Sequence, residues 1–258
     1  SASIEIAMSV VLKGLYNLDV DMIKMVKLSQ KAENSFIGVN CGIMDQFAIG
    51  MGKKDSAILL DCNTLKYDYA PVVLKDAAIV IGNTNKRRGL ADSKYNERRG
   101  ECERALSQLK EKLNITSLGN LSIAEFEINK EIITNEIDRK RAKHAVYENQ
   151  RTLEAVEKLG QGDIEAFGKL MNQSHISLRD DYEVTGFELD SLVEAAWKQE
   201  GTIGARMTGA GFGGCTVAIV KNDKLDAFIE NVGKEKKKKT GLKADFYIAN
   251  IGDGAREI

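Results

Sequence analysis

Proline is nearly absent: Pro71 is the single one in 258 residues, where ordinary usage of about 5% would give roughly a dozen. No proline-rich linker divides the chain, and composition shifts little along it, so any domain boundary is soft. Histidine is almost as rare, with only His144 and His175. The four cysteines, Cys41, Cys62, Cys102 and Cys215, are widely spaced, with no Cys-x-x-Cys pair and no cluster with histidine. That argues against a structural zinc site. Neither charge sign is in excess: 37 Lys and Arg face 38 Asp and Glu, for a net charge of −1. Nucleic-acid binding therefore has no global support. Long apolar runs and a secretory leader are also missing. The expectation is a reduced, cytoplasmic protein with mostly buried thiols.

The rest is ordinary for a globular chain, with 43% hydrophobic and 29% charged residues. The length allows one large domain or two modest ones, either able to bury a core without staples. The chain opens on Ser1 rather than Met, which trimming or processing would produce.

Ile4 to Tyr16 carries apolar residues at helical spacing, with Ser1 and Ser3 available as caps. A second helix is expected from an Asp19 cap to about Glu33, with Met22, Ile23 and Val26 inward. Gly38-Val39-Asn40-Cys41-Gly42-Ile43-Met44-Asp45-Gln46-Phe47 reads as a short glycine-containing stretch. Strands are expected at 56–61 and 66–70, joined near Asn63-Thr64, with Pro71 breaking the pattern, and again at 77–81. Helices follow over 96–113, over 138–159 with a continuation past Gly160 and Gly162, and over 188–199. Residues 204–214 are glycine-rich. A strand at 216–220, a helix at 223–235 and a strand at 244–250 close the chain. This order argues for α+β. The run Lys234 to Lys239 reads as a solvated helix end, where cations suit the dipole.

Three segments carry candidate chemistry. In Arg206-Met207-Thr208-Gly209-Ala210-Gly211-Phe212-Gly213-Gly214-Cys215, four glycines in six positions let backbone approach a ligand closely. Successive amides there would form an anion nest. The segment is no Walker A loop, and a strand rather than a helix follows it, unlike a Rossmann turn. Tight packing against a neighbouring strand explains the glycines equally well. In the second segment, Asp45 sits among apolar residues and glycine. Such a carboxylate is hydrogen-bonded, ion-paired or catalytic if buried, and a cap if it lies in a turn. The third, Asn85-Lys86-Arg87-Arg88 through Ser93-Lys94-Tyr95-Asn96-Glu97-Arg98-Arg99, is a basic strand-to-helix connection of the kind that often carries ligand contacts.

Together these segments resemble the galactokinases, sugar kinases of the GHMP superfamily. Arg141-Ala142-Lys143-His144, Ser174-His175 and Leu178-Arg179-Asp180-Asp181-Tyr182-Glu183-Val184 extend the likeness in order along the chain. It implies an α+β, two-lobe GHMP kinase architecture: a truncated N-terminal lobe of the ribosomal-protein type over 1–75 and a complete ferredoxin-like C-terminal lobe with a helical insert over 76–258. Ser1-Ala2-Ser3 is similar to the end of the family's phosphate loop, Gly-Leu-Ser-Ser-Ser-Ala-Ser. The expectation is thus a C-terminal fragment lacking the sugar-binding Gly-Glu-His-Thr-Asp-Tyr motif and the catalytic arginine. Such a fragment is expected to be inactive alone, with an exposed apolar face near Ile4 to Leu15.

The resemblance implies transfer of the γ-phosphoryl of ATP to the C1 hydroxyl of galactose, with ATP and Mg2+ as cofactors. Asp45 is implied as the catalytic base, and loss of the arginine would raise its pKa were it buried. Gly42, Asp45 and Tyr95 are implied to contact the sugar. Ser1, Gly209, Gly211 and Gly213 would serve the nucleotide, and Ser1 and Glu33 the magnesium. His144, His175 and the 179–182 run read as structural. Partners are galactose and ATP, with no nucleic acid or membrane. A monomer is implied for the whole enzyme, with self-association of the fragment through its exposed remnant left open. Two alternatives stand beside this: a kinase of the same type acting on N-acetylgalactosamine or arabinose, and a non-catalytic galactose sensor.

Overall fold

The computed structural model describes residues 1–39, 41–86 and 91–257, with backbone alone for 91–93. The chain forms two compact units: residues 1–73 with 250–258, and residues 74–249. The division of the sequence at 75/76 assigned 250–258 to the second lobe. These residues instead join the first unit, where Gly254 N–H donates to Gly52 O at 2.7 Å and Ala255 N–H to Ile49 O at 2.8 Å. Gly254 is required there, since a Cβ would stand 2.7 Å from Gly50 O.

The first unit begins with α1 (Ala2–Tyr16), closed by left-handed Asn17. Its Ile6 is fully buried, whereas Ile4 and Leu15 are about three-quarters exposed and Met8 and Leu12 are also outward. This is the apolar face expected of the segment. Helix α2 (Met22–Ala32) is capped by Asp21, not Asp19: Lys24 N–H donates to Asp21 Oδ1 at 2.7 Å. A wider π turn over Glu33–Ile37 follows. The stretch around Asp45 is a helix, α3 (Met44–Met51), not a turn. Strands β1 (Ser56–Leu60) and β2 (Tyr67–Pro71) form an antiparallel pair. Pro71 ends β2 opposite Ser56 rather than breaking the pattern before it. Ile6, Val26, Ile43 and Phe47 make this unit's core.

The second unit holds a four-stranded antiparallel sheet, ordered β4-β5-β3-β6. Strand β3 is Ala77–Asn83. Among the described residues five α-helices then intervene: α4 (Ala91–Lys110), α5 (Ile123–Asn129), α6 (Glu136–Gly160), α7 (Ile164–Asp180) and α8 (Phe187–Trp197). Strands β4 (Thr202–Thr208) and β5 (Cys215–Lys221) follow, then α9 (Leu225–Thr240) and β6 (Asp245–Ala249). This is the ferredoxin-like order with a helical insert after its first strand. Strand β4 falls partly in the segment read only as glycine-rich. Gly168 and Gly204 let α7 lie directly on β4: a Cβ on Gly168 would stand 2.2 Å from Ile203 O. Among the described residues no helix is long and apolar enough to cross a membrane. The thiols are not mostly buried: Cys62 is exposed and the other three are intermediate.

Candidate active site

In the first unit, the 38–43 segment is tied to the end of α2. Val39 N–H donates to Glu33 O at 3.1 Å. Gln30 Nε2 donates to Cys41 O at 3.3 Å, and Cys41 Sγ to Asn34 Oδ1 at 3.2 Å. The chain then enters α3 with Ile43 and Phe47 buried, which pins the helix. Asp45 falls in the first turn of α3, where a carboxylate suits the helix dipole. Both Gly42 and Asp45 are exposed. The burial that would have forced a partner on Asp45 is absent, because Ile43 and Phe47 take the inward positions on either side.

Ser1 and Glu33, paired from the sequence, do come together. Ser1 lies close enough to Glu33 for its side chain to hold the Glu33 carboxyl below the usual range. Glu5, one helical turn from Ser1, faces Glu33; partial burial and the neighbouring carboxylate push its carboxyl up. Gln46 Nε2 reaches Glu5 Oε2 at 3.5 Å, and Gln46 is 3% exposed. Glu5 and Gln46 were missed in the sequence, although Glu5 stands four residues after Ser1 and so on the same helix face.

In the second unit, the glycine-rich segment is the β4–β5 connection, and it rests on two supports. On one side Phe212 N–H donates to Val184 O at 2.7 Å. Gly211, at φ +86°, has no room for a Cβ, which would stand 2.1 Å from the same carbonyl. On the other side Thr84 donates to Gly214 O from both its N–H, at 2.9 Å, and its Oγ1, at 2.8 Å. Gly211 and Gly213 are buried, so packing accounts for them; Gly209 is exposed. The amides of Gly209, Ala210, Gly213 and Gly214 have no backbone acceptor among the described residues. Both sequence readings of the loop therefore have a physical basis: packed glycines and unused donors.

The Val184 support is itself braced. Arg141, buried on α6, donates to Glu101 Oε2 at 2.9 Å, Asp181 O at 2.6 Å and Glu183 Oε2 at 2.8 Å. Arg98 shares Glu101 at 3.0 Å and holds Tyr182 O at 2.8 Å. Tyr95, half-buried, lies on α4 one turn before Arg98. Arg87, Arg88 and the Ser93 side chain, named in the sequence, lie outside the described residues, as does Asn40. Asp45 and Gly42 belong to the first unit, and Tyr95 and the glycine loop to the second.

A family model described as the GHMP kinases N terminal domain matches residues 1–53, and one described as GHMP kinases C terminal matches 153–238. The fold and these matches define the class as GHMP kinases. Galactokinase from Fusobacterium nucleatum is 67% identical over all of this chain and 67% of its own length. Galactokinase from Clostridium beijerinckii is 62% identical over 66% of its length. The crystal structure of Lactococcus lactis galactokinase complexed with galactose superposes with a TM-score of 0.97 at 53% identity, over all of this chain and 66% of that one. The chain belongs to the galactokinase family. It spans about two thirds of the length of these relatives. The crystal structure of L. major mevalonate kinase, at TM-score 0.64 and 20% identity, shares the fold.

Proposed function

We propose that the whole protein carrying this chain transfers the γ-phosphoryl of ATP to the C1 hydroxyl of galactose. The observation that carries this reading is Asp45: an exposed carboxylate in the first turn of a helix pinned by Ile43 and Phe47, in a chain 67% identical to a galactokinase. A sugar hydroxyl is a weak acid, so a fixed base that takes its proton as the phosphoryl bond forms lowers the barrier. Asp45 is that base in this reading. Gly42 offers backbone beside the sugar, and Tyr95 offers a phenolic hydroxyl to it. Ser1 in the first unit offers a hydroxyl to phosphate oxygens, and in the second unit the loop at Gly209, Gly211 and Gly213 offers backbone amides to them, since successive amides concentrate positive potential.

Magnesium would be held by Ser1 and Glu33. The donors fit: a hydroxyl and a carboxylate are hard oxygens, and Glu5 adds a second carboxylate beside them. Among the described residues no cluster of three or more His, Cys, Asp or Glu could cage an ion. When bound, magnesium would neutralise charge on the transferring phosphoryl group.

The test is a coupled assay of the whole protein over galactose, N-acetylgalactosamine and arabinose, comparing kcat/KM. Galactose is expected to be preferred, and Asp45→Asn to lower kcat by about 10²–10⁴ while sugar binding persists. No sugar-dependent ATP turnover, or a fully active Asp45→Asn variant, overturns the reading.

A further inference from the structure

Lys236 lies within the lysine run that reads as solvated, yet it is 0% exposed. It continues the inner face of α9, one turn after Val232 and two after Phe228, both buried. Its ammonium donates to the carbonyl of Thr84 and, at 3.4 Å, to that of Lys243. Glu188 and Asp245 lie near enough to favour its charge, but neither pairs with it among the described residues; Glu188 is taken by Lys86 at 2.7 Å. Burial pulls the Lys236 pKa below the usual lysine range. An ammonium buried against carbonyls alone is costly, and a hydrophobic residue would continue the core below it at less cost. A charge kept in such a place points to what it grips.

What it grips is the floor of the glycine loop. Thr84 is fully buried and makes the two bonds to Gly214 O described above. Two residues on, Lys86 lies under Gly213: a Cβ on that glycine would stand 3.3 Å from Lys86 O. Segment 84–86 thus carries the second half of the loop, and Lys236 holds that segment from behind.

We infer that Lys236 is a positioning residue: by fixing Thr84 it fixes Gly214, and with it the direction in which the loop's free amides point. The inference deepens the proposed phosphoryl transfer and rests on it for its kinetic consequence alone.

The experiment uses the whole protein as wild type, Lys236→Met and Thr84→Val. It measures amide hydrogen exchange at Phe212 and across α6, together with kcat and KM for ATP. Lys236→Met is expected to speed exchange at Phe212 by about tenfold or more, with α6 unchanged. It should also raise the KM for ATP, or lower kcat, by about tenfold. Thr84→Val should move the same readouts in the same direction by a smaller factor. Equal acceleration in the loop and in α6, with kcat and KM unaltered, marks a brace of the fold only and overturns the inference. If Lys236→Met does not fold, Thr84→Val decides: no change at Phe212 overturns the inference. If the wild type transfers no phosphate, the exchange comparison still decides, so the two failures are distinguishable.

Discussion

The backbone N–H of Met207 donates to Nδ1 of His175 at 3.1 Å. One turn earlier on the same helix, Asn172 Oδ1 accepts the N–H of Ala205 at 2.8 Å. Strand β4 is the sheet's edge, and these are alternate residues on it, so α7 supplies acceptors where a fifth strand would otherwise sit. The bond also fixes the imidazole tautomer: Nδ1 accepts, so Nε2 carries the proton, facing Asp190 Oδ1 at 3.3 Å.

His175→Leu should therefore cost more than its lost contacts, because it strands a buried N–H. We expect a loss of about 1–3 kcal/mol in urea unfolding, with an increased tendency to associate through the bared edge. An unchanged urea midpoint would contradict this account of the edge.

His144 makes stability depend on pH. Its ring stacks on Tyr182 at 4.5 Å, and burial pulls its pKa from the usual 6.5 to about 4. The folded protein keeps it neutral down to about pH 4, while the unfolded chain protonates it below 6.5. Its contribution is whole above pH 6.5 and is lost as pH falls towards 4, by up to about 3 kcal/mol. Replacing it by Gln should flatten that part of the stability profile; an unaltered slope would refute the assignment.

Gly211→Ala combines a positive φ with a Cβ 2.1 Å from Val184 O. The loop must lift off that support. Phosphoryl transfer by the whole protein is expected to fall by at least about 10², and the Phe212 amide should lose its protection. Retention of both would mean the loop does not depend on Val184.

Arg141→Met leaves Asp181 O without its side-chain donor and leaves Glu101 with Arg98 alone. A loss of about 3–5 kcal/mol is expected in chemical denaturation. Arg99→Met, on the exposed face of the same helical layer, should change stability by less than about 1 kcal/mol.

Much of this was legible in the sequence because periodicity reports burial. The short apolar run at 216–220 falls within β5, and the spacing in 138–159 falls within α6. Helix α3 escaped because it is eight residues long and follows two glycines, so its pattern is shorter than a reliable period. Strand β4 escaped because Gly204, needed for close approach of α7, weakens a strand signal. Lys236 was hidden by its charged neighbours, although Phe228, Val232 and Lys236 share one helical spacing. The motifs drew attention to Asp45, Glu33 and the glycine loop. The supports beneath them, Thr84, Val184 and the Arg98–Glu101–Arg141 network, come from distant parts of the chain, and a single sequence holds no record of such pairings.

The return of residues 250–258 to the first unit orders events during synthesis. The helices and hairpin of 1–73 leave the ribosome before the second unit, yet the partners that Gly52 and Ile49 need arrive just over two hundred residues later. The second unit has its whole sequence available before that, and can fold while the first is still incomplete. The first unit is therefore begun before the second and completed after it, and until then the end of α3 at Gly52 waits in the nascent chain for the Gly254–Ala255 segment.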